Sequence, residues 1–249
     1  MKLNQYATEA FRQDVIKRYP HEACGFIIND EYHACFNVSE EPEKHFRISG
    51  AERFDIEQLF GPIQAIVHSH PYTLEESQHF AKRKYNPVWP SVGDQESFMS
   101  DDIPWGIVAT DGEGISEITW LDETEIIPLE SRKFSWFNAD CYALVRDWHR
   151  INNNITLPNF TREYGFWLNG QNIIEEGIAT IDCLKRYPTE QSIVGDIAIF
   201  DTAGTGIVNH LGVIAGTNEL YHQWIERYAE KSRWDHWQKH CKYVVRIIK

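Results

Sequence analysis

Ala65-Ile66-Val67-His68-Ser69-His70-Pro71 is the stretch that most constrains this chain. Three apolar residues read as a buried β-strand that ends in two histidines and a proline. Alternate residues of a strand share a face, so His68 and His70 present their imidazoles to one point. Neutral imidazole is a zinc ligand, and Pro71 turns the chain so that such a site stays open. An isolated pair is weak evidence, because surface histidines are common. Its neighbours along the chain strengthen it.

Residues 6–19 suit an amphipathic helix that ends before Pro20. Glu22 then sits just ahead of the apolar run Phe26-Ile27-Ile28, and taken alone it reads as a solvated loop residue. Strands are expected at 33–38 and 45–48, and a helix at 51–60. Residues 72–89 are polar without clear periodicity and read as a loop. A helix over 94–100 follows, and Asp94 has a simple structural role as its N-cap. Further strands are expected at 104–109, 114–120 and 125–128, closing an α/β or α+β domain near residue 130.

Glu22, His68, His70, Ser91 and Asp94 form the parts list of a zinc hydrolase. His68, His70 and Asp94 make three protein ligands and leave a fourth position for water, whose pKa zinc lowers to about 7. Glu22 would take the water's proton and pass it to the leaving amine, and the Ser91 hydroxyl would donate to the oxyanion. The pattern resembles the JAMM/MPN metallopeptidases: an upstream Glu, then H-[ST]-H-P, a spacer and S-x-x-D. Tyr19-Pro20-His21-Glu22-Ala23-Cys24-Gly25, His68–Pro71 and Ser91-Val92-Gly93-Asp94 carry the match. One departure is residues 72–90, where the family has a short spacer. They read as a substrate-facing flap or as the mark of an altered site, and members of this fold also serve as inactive scaffolds.

A chain of 249 residues accommodates two domains of ordinary size. The formal net charge of −13, without any block of Lys or Arg, argues against nucleic-acid binding through phosphate neutralisation. No apolar run approaches the roughly 20 residues that span a bilayer. The N-terminus lacks the apolar core of a signal peptide. The 5 cysteines are odd in number, scattered and never in a CxxC pair, which points to a reducing cytoplasm and to metal ligation by His and carboxylates. Residues 121–133 mix charge with one proline and read as a short connection.

In the second half, Asp140 caps a helix expected over 141–150, with Leu144, Val145 and Trp148 on one face. Cys141 lies in the first turn, where the helix dipole would stabilise a thiolate and lower its pKa. The plain alternative is a buried cysteine acting as a small apolar residue, a role that suits Cys183 and Cys241 better. After Gly195-Asp196 comes a buried strand, then two antiparallel strands that bring His210 and His222 together. One imidazole would deprotonate Cys141 while the other orients it. Residues 223–240 read as helix and loop, and 242–248 as a last strand. This half resembles the NlpC/P60 cysteine peptidases in D-C-Y-x-L-V around Cys141, in the Gly195-Asp196 turn and in H-L-G-V-I-A-G from His210. His222, 12 positions after His210, stands at the family's third polar position. Tyr142 replaces the Ser-Gly usual in bacterial wall enzymes.

The two families in this order resemble the tail tip assembly proteins of lambda-like siphophages. The resemblance implies a two-domain α+β chain: a JAMM/MPN-like α-β-α domain at 1–125 and a papain-like NlpC/P60 domain at 131–249. It implies a protein made in the host cytoplasm that acts at the tail tip, with other tail tip proteins as partners. The second domain would cut peptidoglycan stem peptides beside a D-glutamyl residue, and the first would be a zinc-dependent amide hydrolase. No nucleic-acid partner and no membrane span are expected. A rival reading makes the chain a structural assembly factor whose sites stay quiet until partners dock. A third, a deubiquitinase-like isopeptidase, would leave the second half without a role.

Overall fold

Asn4 starts the first helix, α1 (Gln5–Arg18), by accepting the Ala7 N–H at 2.9 Å, and Lys17 and Arg18 favour its last turn. The computed structural model describes residues 1–248, in two units: Met1–Glu125 and a second from Ile126 onward. Both mix helices with one sheet, a two-domain α+β fold.

In the first unit, β1 (Cys24–Ile28), β2 (Glu31–Cys35), β3 (Ala65–Pro71), β4 (Trp105–Thr110) and β5 (Thr119–Leu121) make one sheet in the order β2-β1-β3-β4-β5. Helix α2 (Gly50–Phe60) lies between β2 and β3 in sequence. Only β3 and β4 run parallel, and a parallel pair needs a long crossover. That crossover carries α3 (Leu74–Arg83) and α4 (Val92–Ser100). Strand alternation then sorts β3. Ala65 and Val67 join Phe11, Val15, Ile27 and Val108 in the core, so His68 and His70 face the opposite way. Phe11 and Val15 are wholly buried, each contributing about 1.5–3 kcal/mol of transfer free energy.

Several expectations change here. Residues 72–89 are not a plain loop: Thr73 and Glu76 form a reciprocal capping box that starts α3. Ser91, not Asp94, is the N-cap of α4; Asp94 stands three residues on and closes a second capping box. Residues 45–48 form no strand, because Asn37 holds them as irregular backbone through bonds to His45 O and the Arg47 N–H. Within 114–120 only Thr119 and Trp120 are in β5, and Ile115 makes a single bridge to Thr110. Residues 125–128 form no strand either, and Pro128 has no N–H for a ladder.

The α-helices of the second unit begin with α5 (Cys141–Asn153), followed by α6 (Ile173–Ala179). Its antiparallel sheet has the order β10-β9-β8-β7-β11-β6, from β6 (Leu184–Tyr187), β7 (Ile197–Phe200), β8 (His210–Gly216), β9 (Glu219–Gln223), β10 (Ala229–Arg233) and β11 (Cys241–Ile247). Helix α5 packs on β8 and β9, while Ala198, Phe200, Ile214, Leu220, Trp234 and Val244 form a buried cluster. Residues 223–240 were expected as helix and loop, yet they contain β10; α7 (Trp234–Trp237) is one turn long. Edge strand β10 is charged along its exposed positions and forms because β9 offers it a partner. No described helix is long and apolar enough to cross a membrane.

Candidate functional site

The end of β3 and the start of α4 meet in the first unit. His68 Nε2 lies 3.0 Å from His70 Nε2, and these atoms lie 3.2 Å from Asp94 Oδ1 and Oδ2 respectively. Donors bonded to zinc at about 2.0–2.1 Å in a tetrahedron stand about 3.3 Å apart, so the spacing suits one small ion. His68, His70 and Asp94 are the group of His, Cys and carboxylate side chains that converges in this way among the described residues. His70 Nδ1 donates to Pro87 O at 2.7 Å, which leaves Nε2 as the nitrogen that could ligate an ion. Pro87 belongs to the inserted segment, a positioning role that no local motif announces. His68 Nδ1 is buried without a hydrogen-bond partner among the described residues, and the Phe46 ring lies 4.4 Å from the His68 ring.

Electrostatics tie these groups together. Burial pushes Glu22 up to about 8; His70 pulls it down and Asp94 adds to the rise. Burial also lowers His68. Against burial, His68 and His70 hold Asp94 well below the usual carboxylate range, and Asp94 raises His70 to about 9. A proton on His70 thus takes up positive charge where a dication would sit, and the two compete. The Glu22 carboxyl is buried at 4% exposure within electrostatic reach of both His70 and Asp94. The Ser91 hydroxyl donates to Asp94 Oδ2 at 2.7 Å and accepts the Asp94 N–H at 3.1 Å, so its proton is committed to the helix cap.

The second constellation is built on α5, β8, β9 and β10. Asp140 accepts the Ala143 N–H at 2.9 Å and places Cys141 at the first helical position. His210 and His222 lie on paired strands, with His210 Nε2 3.0 Å from His222 Nδ1. His222 Nε2 reaches Ser232 Oγ at 2.9 Å, an outer partner that the sequence reading missed because β10 itself was not foreseen. Trp224 stacks on His210, with centroids 4.1 Å apart and planes 5° from parallel.

The expected lowering of the Cys141 pKa does not hold. Burial, with Asp140 adding, pushes the thiol up to about 12, although the Leu211 and Tyr142 N–H groups favour the thiolate. Burial and His222 hold His210 well below the usual imidazole range. Helix-dipole stabilisation loses here to desolvation. No hydrogen bond joins Cys141 to His210 among the described residues.

No protein-family model matches the chain. Two curated proteins do. The tail tip assembly protein K of Escherichia phage lambda is 28% identical over 184 residues, 73% of this chain and 80% of its own length. The protein of the same name from Escherichia phage N15 is 26% identical over 251 residues, 98% of this chain and 95% of its own. Among solved structures, an NLP/P60-family lipoprotein-like protein from Staphylococcus aureus has a TM-score of 0.30 and 21% identity, over 48% of this chain and 37% of that one. A protein from Desulfitobacterium hafniense has a TM-score of 0.34 and 16% identity, over 50% of this chain and 86% of that one. Over most of its length the chain is thus similar to the tail tip assembly protein K of lambda and N15.

Proposed function

We propose that this chain acts in phage tail tip assembly and carries two amide hydrolase sites, one in each unit. The first is a zinc site of JAMM/MPN type within residues 1–125; the second is a Cys-His-His site of NlpC/P60 type within 131–249 that cuts peptidoglycan stem peptides beside D-glutamyl residues. The protein is made in the host cytoplasm and works at the tail tip with other tail proteins. The observation that carries this reading is the convergence, in two separate units, of His68, His70 and Asp94 and of His210, His222 and Ser232.

In the first site His68, His70 and Asp94 would hold the ion, which when bound supplies a Lewis acid for the amide carbonyl. Glu22, buried within electrostatic reach of His70 and Asp94, would take a proton from the attacking water and return it to the leaving amine. In the second site His210 takes the proton of Cys141 as the sulfur attacks the carbonyl carbon. The C–N bond breaks as His210 gives that proton to the amine. Water then cleaves the thioester with His210 as base, while His222 keeps His210 in the required tautomer.

A gated reading is favoured by one observation: Cys141 is buried, and among the described residues no hydrogen bond joins it to His210. Docking of a tail partner would then complete the site. Mass spectrometry of purified muropeptides incubated with wild type, Cys141→Ala and Glu22→Gln tests both. Cleavage lost only in Cys141→Ala supports the wall-peptidase role of the second unit. Loss in Glu22→Gln alone moves the wall chemistry to the first. No cleavage by folded, reduced wild type favours the gated reading.

A further inference from the structure

Beside the metal-ligand cluster the first unit has a cavity of about 460 Å³ that reaches Ser91 and Asp94. This is the size of an ordinary ligand pocket. Phe26, Phe46, Ile66 and Trp105 give it an apolar lining, and Arg47 and Arg53 supply cations. In a chain of net charge −13, two guanidiniums at one cavity are notable. Asp94 is turned to His68 and His70, and Asp101 lies 3.6 Å from Arg53. Arg47 has no carboxylate partner among the described residues; one N–H donates to Val38 O at 3.0 Å.

The Arg47 wall is held in place. Asn37 Oδ1 accepts the Arg47 N–H at 3.1 Å, and its Nδ2 donates to His45 O at 3.0 Å and to Glu22 O at 3.1 Å. One asparagine therefore ties the wall to the backbone of Glu22. Such preorganisation reduces the ordering cost of binding. Guanidinium is the side chain best matched to a carboxylate, which it can hold through two parallel bonds.

We propose that this cavity binds a carboxylate of the peptide handled at the first site, with Arg47 and Arg53 as its recognition residues. The apolar floor takes the adjoining aliphatic part of the chain. The inference rests on the metallopeptidase reading of His68, His70 and Asp94, and it names the substrate class as an acidic peptide.

The test is a binding titration of the full chain, followed by NMR of the Trp105 indole N–H, a cavity-lining group that is buried without a hydrogen-bond partner among the described residues. Trp105→Phe assigns the resonance. Three acetylated tripeptides serve as probes: alanyl-glutamyl-alaninamide, its glutaminyl counterpart, and the glutaminyl peptide with a free C-terminal carboxylate. The expected result is binding of a carboxylate-bearing probe at least fivefold tighter than of the neutral one. Whichever acidic probe gains identifies a side-chain or a terminal carboxylate. The advantage disappears in Arg47→Ala/Arg53→Ala and is partly kept in Arg47→Lys/Arg53→Lys. Equal binding of all three, binding of none, or a preference that survives the double alanine change would overturn the proposal. Zinc content of the same samples separates the two readings. Zinc bound without a carboxylate preference defeats this inference alone; a preference in a chain that takes up no zinc defeats the metallopeptidase reading instead.

Discussion

His210 Nε2 lies 3.0 Å from His222 Nδ1, and on the proposed mechanism that contact sets which nitrogen of His210 would serve the thiol. If His210 donates from Nε2, His222 accepts at Nδ1 and donates from Nε2 to Ser232 Oγ, 2.9 Å away. His210 Nδ1 is then the lone pair that accepts the Cys141 proton. On the proposed mechanism, His222→Ala lowers kcat on a stem peptide by about 10²- to 10⁴-fold with little change in KM. Ser232→Ala, one step further out, lowers it by about tenfold. Steady-state kinetics check the ranking. Equal losses for the two variants would disprove a relay that weakens outward.

The buried Cys141 thiol has its own signature. Burial pushes Cys141 up to about 12, so thiolate forms only at alkaline pH. Alkylation of Cys141 by iodoacetamide in the native chain is expected to be slower at pH 7 than that of free cysteine and to rise continuously to pH 9. A fast rate that stays flat between pH 5 and 8 would instead reveal a preformed thiolate–imidazolium pair. Mass spectrometry of the labelled peptide reads the rate at this one cysteine.

Much of both constellations was legible in the sequence because each rests on local rules. Strand alternation places His68 and His70 on one face, the Asp140 cap puts Cys141 first in α5, and a two-residue turn sets His210 against His222. What was not legible depends on distant partners. Strand β10 reads as polar loop until β9 pairs with it, so Ser232 went unseen. Residues 45–48 look extended, but Asn37 makes the bonds that a neighbouring strand would have made. The thiol's pKa is set by burial under the whole unit, not by the first turn that the sequence displays. Helix α3 differs from these: Thr73 and Glu76 were a readable capping signal.

Buried histidines make the second unit sensitive to acid. Burial pushes His149 down to about 4, against the pull of Asp196, and takes His222 to about 4 as well. The unfolded value is near 6.5, so the unfolded chain binds protons that the folded chain refuses. Their contribution to stability is fully present above pH 6.5 and is lost as pH falls towards 4, on the order of 3 kcal/mol per histidine. Urea unfolding across this range should show the decline. In His149→Gln the loss between pH 6.5 and 4 should be smaller by about 3 kcal/mol. An unchanged slope would mean that His149 titrates normally.

Arg162 supports helix α5 at its N-cap. Its Nε and Nη2 bond Asp140 Oδ2 and Oδ1 at 2.6 and 3.0 Å, and Nη2 also donates to Phe137 O at 2.8 Å. Both side chains are almost wholly buried. Arg162→Met leaves Asp140 as an unpaired buried charge, at a cost of about 3–5 kcal/mol. Arg162→Lys keeps the charge but not the fork, and should recover only part of that loss. Chemical denaturation measures both; a lysine variant as stable as wild type would show that charge alone matters.

The inserted segment is expected to serve the candidate metal site through Pro87. His70 Nδ1 donates to Pro87 O at 2.7 Å, and that bond selects Nε2 to face Asp94. A carbonyl cannot be removed by changing a side chain, so the informative variant replaces residues 74–89 with a short glycine-serine link. Val88 and Trp89 are buried, so a companion variant deletes only 74–83, the span of α3, and keeps the Pro87–Trp89 contact. Outer partners of ligating histidines are worth about 10- to 100-fold in metal affinity. The longer deletion should weaken zinc binding by about that factor, measured by competition with a chromogenic chelator, while the α3 deletion stays close to wild type. Circular dichroism keeps loss of fold distinct from loss of affinity. If both deletions bind zinc as wild type does, the Pro87 bond plays no part in metal affinity; if both lose it equally, α3 itself supports the site.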